Sequence, residues 1–176
     1  MKFITAYIKF VDNLNEKIGN WVSWLTALLT LVVTYDVFVR YFLKESSVGF
    51  QEFEWHLFAI IFLLSAAYTL KTDQHVRVDV FYTRMSEKKK AFVNLFGSVV
   101  FLIPFCVVAI LASKNFVINS FIMGETSPDA GGLPARYILK AVIPLSIFLL
   151  LLQAIALAFR SFLTLISSGN KSIEKG

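Results

Sequence analysis

The chain has 176 residues, 57% hydrophobic and only 16% charged, which is more apolar than the roughly half-apolar make-up of soluble domains. Its single cysteine, Cys106, excludes an intramolecular disulfide and any multi-thiolate metal site, and four spans of about 20 residues each would leave no room for a soluble catalytic domain. A formal net charge of +5 would point to nucleic acid in a soluble protein, but here it fits Lys and Arg held on the cytoplasmic side of a membrane, so nucleic acid is set aside as a partner.

From the N-terminus, Phe3, Ile4, Tyr7, Ile8, Val11, Leu14 and Ile18 recur at helical spacing, with Lys2, Lys9, Asp12, Glu16 and Lys17 between them. That pattern predicts an amphipathic helix over residues 1–20, either lying along the inner interface or extending the first span. The segment lacks the short apolar core and small-residue cleavage site of a secretory signal, so the first span is expected to act as an uncleaved signal-anchor. Spans are predicted at about 21–42, 48–70, 91–122 and 137–166, with a cytoplasmic tail at 167–176. Runs such as Phe58–Ser65 and Leu145–Leu152 are nearly continuous in apolar residues. A transmembrane strand would instead alternate over about 10 residues, so the barrel reading fails and helices remain.

Between the second and third spans, Val78–Met85 mixes apolar and polar residues, and Ser86 with Glu87 looks like an N-cap and first turn opening a basic stretch. Val78–Met85 is then a short interfacial segment, in one reading a second horizontal helix. Gly124–Pro134 has the Gly and Pro density of a turn. Pro104 and Pro144 fall inside the third and fourth spans and are expected to kink them. Orientation follows from the basic residues. Lys2, Lys9, Lys17, Lys71, Arg77, Arg84, Lys88, Lys89, Lys90, Arg160, Lys171 and Lys175 lie at one set of ends, against Arg40, Lys44, Lys114, Arg136 and Lys140 at the other. Both termini are therefore expected inside. The fold class is an all-α integral membrane protein, a single domain over 1–176, with four transmembrane helices and one or two interfacial amphipathic helices.

Ionisable groups within spans are costly and are the first place to look for function. Asp36 and Arg40 lie four apart on the outer half of the first span, spaced for an ion pair on one face or for contact with a neighbouring helix. Glu52 and His56 share a face at the start of the second span and Glu54 does not. Ion pairing between helices, with Arg40, Lys114 or Lys140 near in depth, is the simpler account of these acids. A bound cation lacks the unwound carbonyls that transporters use for sodium. His56 and His75 are separated by a full bilayer and cannot share a haem. No Ser-His-Asp or Cys-His set can be assembled, so no catalytic residue, cofactor or metal is expected. Gln153, Ser65, Ser98, Ser146, Ala66, Ala67 and Gly97 are of the kind that join helices. This inventory fits a four-span helper of a larger complex better than a complete carrier.

Val39–Phe42, Gln51–His56, Ala66–Lys71, His75–Tyr82, Glu125–Asp129, Gly131–Pro134, Lys140, Ile143–Pro144 and Leu152–Gln153 follow one another from about residue 30 to 160. In that order these stretches resemble the small membrane subunit, the DctQ type, of tripartite ATP-independent periplasmic (TRAP) transporters. The resemblance implies ion-driven, usually sodium-driven, uptake across the inner membrane of a bacterium or archaeon, fed by a periplasmic substrate-binding protein. It also implies a 1:1 partnership with a large membrane subunit that holds the substrate and ion sites, braced by the small one. Carried over, Asp36, Arg40, Glu52, Glu54, His56, Ser127, Pro128, Asp129 and Lys140 are candidate contacts with the large subunit or the binding protein. His75, Arg77 and Asp79 would anchor the inner loop, or simply define its turn. Family substrates are mostly organic acids (dicarboxylates, keto acids, sialic acid, sugar acids), and the Gln51–His56 form looks closest to a branch named for mannitol and chloroaromatic compounds. The competing reading is a self-sufficient homo-oligomeric transporter or channel in which Asp36 or Glu52 couples protons.

Overall fold

The computed structural model describes residues 1–45, 47–73, 82 and 85–173, the last six as backbone only. Among them the secondary structure is helical. α1 runs Lys2–Phe38 and continues through a π turn, Val39–Leu43; α2 is Val48–Lys71. α3 is Glu87–Gly97, joined through a second π turn, Ser98–Leu102, to α4, Ile103–Ile122; α5 is Arg136–Ile173. Four of the resulting rods are long and apolar enough to cross a membrane, as the composition predicts.

The boundaries differ from expectation mainly at the ends. The amphipathic segment 2–20 and the first span form one uninterrupted helix, because nothing between Lys17 and Trp21 breaks it; Gly19 only thins it. The fourth span runs on as helix to Ile173. Ser86 caps α3, its hydroxyl accepting from the Lys89 amide at 3.5 Å, with Glu87 in the first turn. The second π turn ends immediately before Ile103-Pro104. Proline has no N–H for the carbonyl four residues back and its ring crowds that carbonyl, and a π turn is one way a helix absorbs such a break. Most of the predicted interfacial segment 78–85, and His75, Arg77 and Asp79, lie outside the described residues.

α5 is the hub, packed against α1, α2, α3 and α4, while α1 also packs along α2. Small side chains make this possible. Ala154 and Ala156 on α5 are fully buried and Ala67 on α2 nearly so, and close approach of backbones is how apolar helices gain packing without a hydrophobic driving force. Gly19 shows the tightest fit, since a Cβ there would lie 2.6 Å from the Tyr68 ring.

The rods overshoot the hydrocarbon. The first, at 42 residues, is about 63 Å long against a roughly 30 Å core. Charge marks where the core begins and ends. The uncharged runs Ile18–Tyr35, Leu57–Leu70, Ala91–Ser113 and Ala141–Phe159 correspond to about 27, 21, 34 and 28 Å of helix, and the charges that bound them meet across helices. At the end where the chain begins, Lys71 pairs with Glu16 at 2.7 Å and Arg160 with Asp12 at 2.6 Å. At the far end Lys140 lies 4.1 Å from the centre of the Phe116 ring. Two planes of charge thus enclose an apolar slab of bilayer thickness.

Candidate functional site

Beyond the far plane stand the last turns of α4, the 123–135 loop, the first turn of α5 and the start of α2. The side chain that ties them together is Glu52. Its Oε1 accepts from the Ser127 hydroxyl at 2.6 Å and from the Arg136 guanidinium at 2.7 Å, and its Oε2 accepts from the Leu133 amide at 2.6 Å. The carboxylate is only 5% exposed, and three donors, one of them cationic, replace the water it has lost. The loop is shaped to reach it. Gly124 and Gly131 turn the chain in the left-handed region, which glycine adopts without steric cost. Gly132 passes so close that a Cβ there would meet the Ser127 side chain and come 2.7 Å from the Glu52 carboxylate. The Ser127 hydroxyl also accepts from the Asp129 amide at 3.1 Å, and the Ser127 amide donates to the Leu133 carbonyl at 3.1 Å.

A second pair closes the loop at its base. The Lys140 ammonium donates to Glu125, and the Arg136 amide donates to the Glu125 carbonyl at 2.9 Å. Lys140 beside it holds the Glu125 carboxyl below the usual carboxylate range. Trp55 roofs the clasp, its ring 5.7 Å from the Arg136 guanidinium and 4.0 Å from the His56 ring.

The nine candidate contact residues divide between the clasp, the α1–α2 contact and the surface. Glu52 and Ser127 are inside the clasp, and His56 is held at its edge by its Nδ1, 2.5 Å from the Glu52 carbonyl oxygen. Lys140 is taken up by Glu125, not by an acid of α2. Asp36 is buried and paired with Arg40 along α1, as the four-residue spacing predicts. Glu54, two residues on and therefore off the Glu52 face, lies within electrostatic reach of that pair, with one carboxylate oxygen buried and without a hydrogen-bond partner among the described residues. Pro128 and Asp129 are exposed at the loop tip, and the Arg40 side chain is half exposed.

Sequence reasoning anticipated pairing between helices but not its main partner. Arg136, counted only as a far-side charge, is the cation that meets Glu52. The signal was its position, just after a Gly-Gly turn that returns the chain to the start of α2. Lys114 is exposed on α4 and makes no ion pair among the described residues. Also missed was the basic-end network, in which the Asn15 amide donates to Gln153 Oε1 at 2.7 Å and the Gln153 amide to Asp12 at 3.0 Å.

Chemically, the clasp is a tie. Every donor that reaches Glu52 comes from this chain, and the carboxylate that could have bound a cation or carried a proton is occupied by three of them. No group of three or more His, Cys, Asp or Glu placed to hold a metal ion occurs among the described residues.

Comparison with known proteins agrees on one point. The family model described as "Tripartite ATP-independent periplasmic transporters, DctQ component" matches residues 29–164. No curated protein and no solved structure matches the chain.

Proposed function

The chain belongs to the DctQ-component family of tripartite ATP-independent periplasmic transporters, and from that membership we propose that it works as a static brace. In this reading it lies in the inner membrane with both termini in the cytoplasm and pairs 1:1 with a large membrane subunit that carries the substrate and ion sites. It widens the scaffold against which that subunit moves, during sodium-driven uptake of an organic acid delivered by a periplasmic binding protein. The observation that carries the brace role is the contrast between interior and surface. The slab contains almost no ionisable group, Glu52 is saturated by its own chain, and long apolar faces are left open, with Phe58, Phe62, Phe101, Phe105, Val108 and Leu111 all more than 60% exposed.

The clasp end would face the periplasm, presenting the exposed Pro128 and Asp129, and the half-exposed Arg40 that Asp36 holds in place, to the binding protein or the large subunit. Co-expression of the tagged chain with a large TRAP membrane subunit from the same organism tests this. The expected product is a 1:1 complex that Arg40→Glu weakens. A homo-oligomer that ignores the large protein would overturn the reading.

A further inference from the structure

At the basic end, one groove between α3 and α5 is not used by anything described above. It has a volume of about 380 Å³ and is lined by Met85, Lys88, Lys89, Phe92, Val93 and Leu165. The two lysines crown it. Lys90, their neighbour, is engaged by Glu87 at 3.0 Å and lies 5.6 Å from the Tyr82 ring, whereas Lys88 and Lys89 are exposed and form no ion pair among the described residues. Below them the surface turns wholly apolar. Phe92 stacks on Phe96 at 6.3 Å, and Phe96 meets Phe101 edge-on at 6.0 Å, an aromatic strip running from the charged plane into the slab.

We propose that this groove is a binding site for an anionic phospholipid, with the phosphate at Lys88 and Lys89 and an acyl chain laid along Phe92, Val93 and Leu165. Three features of the groove select that occupant. The lysines stand two to three residues outside the first residue of the uncharged run, Ala91, at the level where a bilayer carries its phosphates. The floor offers apolar surface and no donor or acceptor that a peptide or a soluble anion would need. Its long direction, from charge to hydrocarbon, follows the polarity gradient of a lipid. Basic groups at the membrane surface next to a helix are the usual partners of acidic headgroups. The proposal rests on the chain spanning a membrane and not on the brace role.

The test is a titration of the full-length chain in detergent with phosphatidylglycerol and, separately, phosphatidylcholine, read by native mass spectrometry. Each lysine near the surface is worth roughly fivefold, so the pair should give about a 25-fold preference for the anionic lipid. Lys88→Gln/Lys89→Gln should remove most of that preference, Lys2→Gln/Lys9→Gln should keep it, and Val93→Trp, which fills the groove, should lower retention of both lipids. Reaction of buried Cys106 with a thiol dye on heating checks that each variant is folded. Equal binding of the two lipids, equal loss in both lysine pairs, or unchanged retention in Val93→Trp would each overturn the site.

Discussion

Replacing Glu52 by alanine strips the acceptor from three donors at once, the Ser127 hydroxyl, the Leu133 amide and the Arg136 guanidinium. A cation left without its partner in a water-poor site is more costly than the pair was favourable. Glu52→Ala should therefore lower the melting temperature more than Glu52→Gln, which keeps acceptor capacity, and Asp36→Asn should matter less than either, since Arg40 is half exposed. Cys106, fully buried and the only thiol, reports unfolding of each variant through a thiol-reactive fluorophore. Glu125 adds a pH dependence. Lys140 lowers its carboxyl in the folded protein, so its stabilising effect is present above the ordinary carboxylate pKa and fades as pH falls through and below that range. Lys140→Gln should flatten that acid-side loss; a melting curve with the same acid dependence in both proteins would count against the pairing.

Among the helices, the polar contacts at the basic end give a measurable unit. Asn15 and Gln153 are each almost fully buried and join α1 to α5 through one short hydrogen bond. Asn15→Leu leaves the Gln153 side-chain oxygen without its donor, while the Gln153 amide still reaches Asp12, and Gln153→Met leaves the Asn15 amide without its acceptor; each buried group left unpaired costs about 1–3 kcal/mol. The double variant should cost less than the sum, by the roughly 0.6–1.7 kcal/mol seen for hydrogen bonds between membrane helices. Strict additivity would mean that the bond contributes nothing. The helices themselves were legible in the sequence because continuous apolar runs and charged boundaries carry the signal in every residue. The Ser86 cap and the Asp36–Arg40 pair were legible because each is a local spacing. What could not be read was which distant groups meet. Glu52 with Arg136 and Asp12 with Arg160 depend on how far one rod slides along another, a register fixed by small residues such as Gly19 and Ala154 whose partners the linear order does not name.

For the molecule as a whole, the arrangement around α5 matters more than any single site. Among the described residues, the α1–α2 pair and the α3–α4 rod each pack on the hub, with no extensive contact between pair and rod. The described residues therefore expose much of their apolar surface. Such a body offers open area more than an enclosed cavity, and its ion pairs between elements lie at the two membrane planes. A component built that way should hold a moving partner in place and bind no substrate itself. The direct test is uptake into proteoliposomes under an inward sodium gradient, with a panel of organic acids and the cognate binding protein outside. The account predicts no uptake by this chain alone and uptake only when the large membrane subunit is reconstituted with it. Sodium-dependent uptake by the purified chain on its own would contradict it.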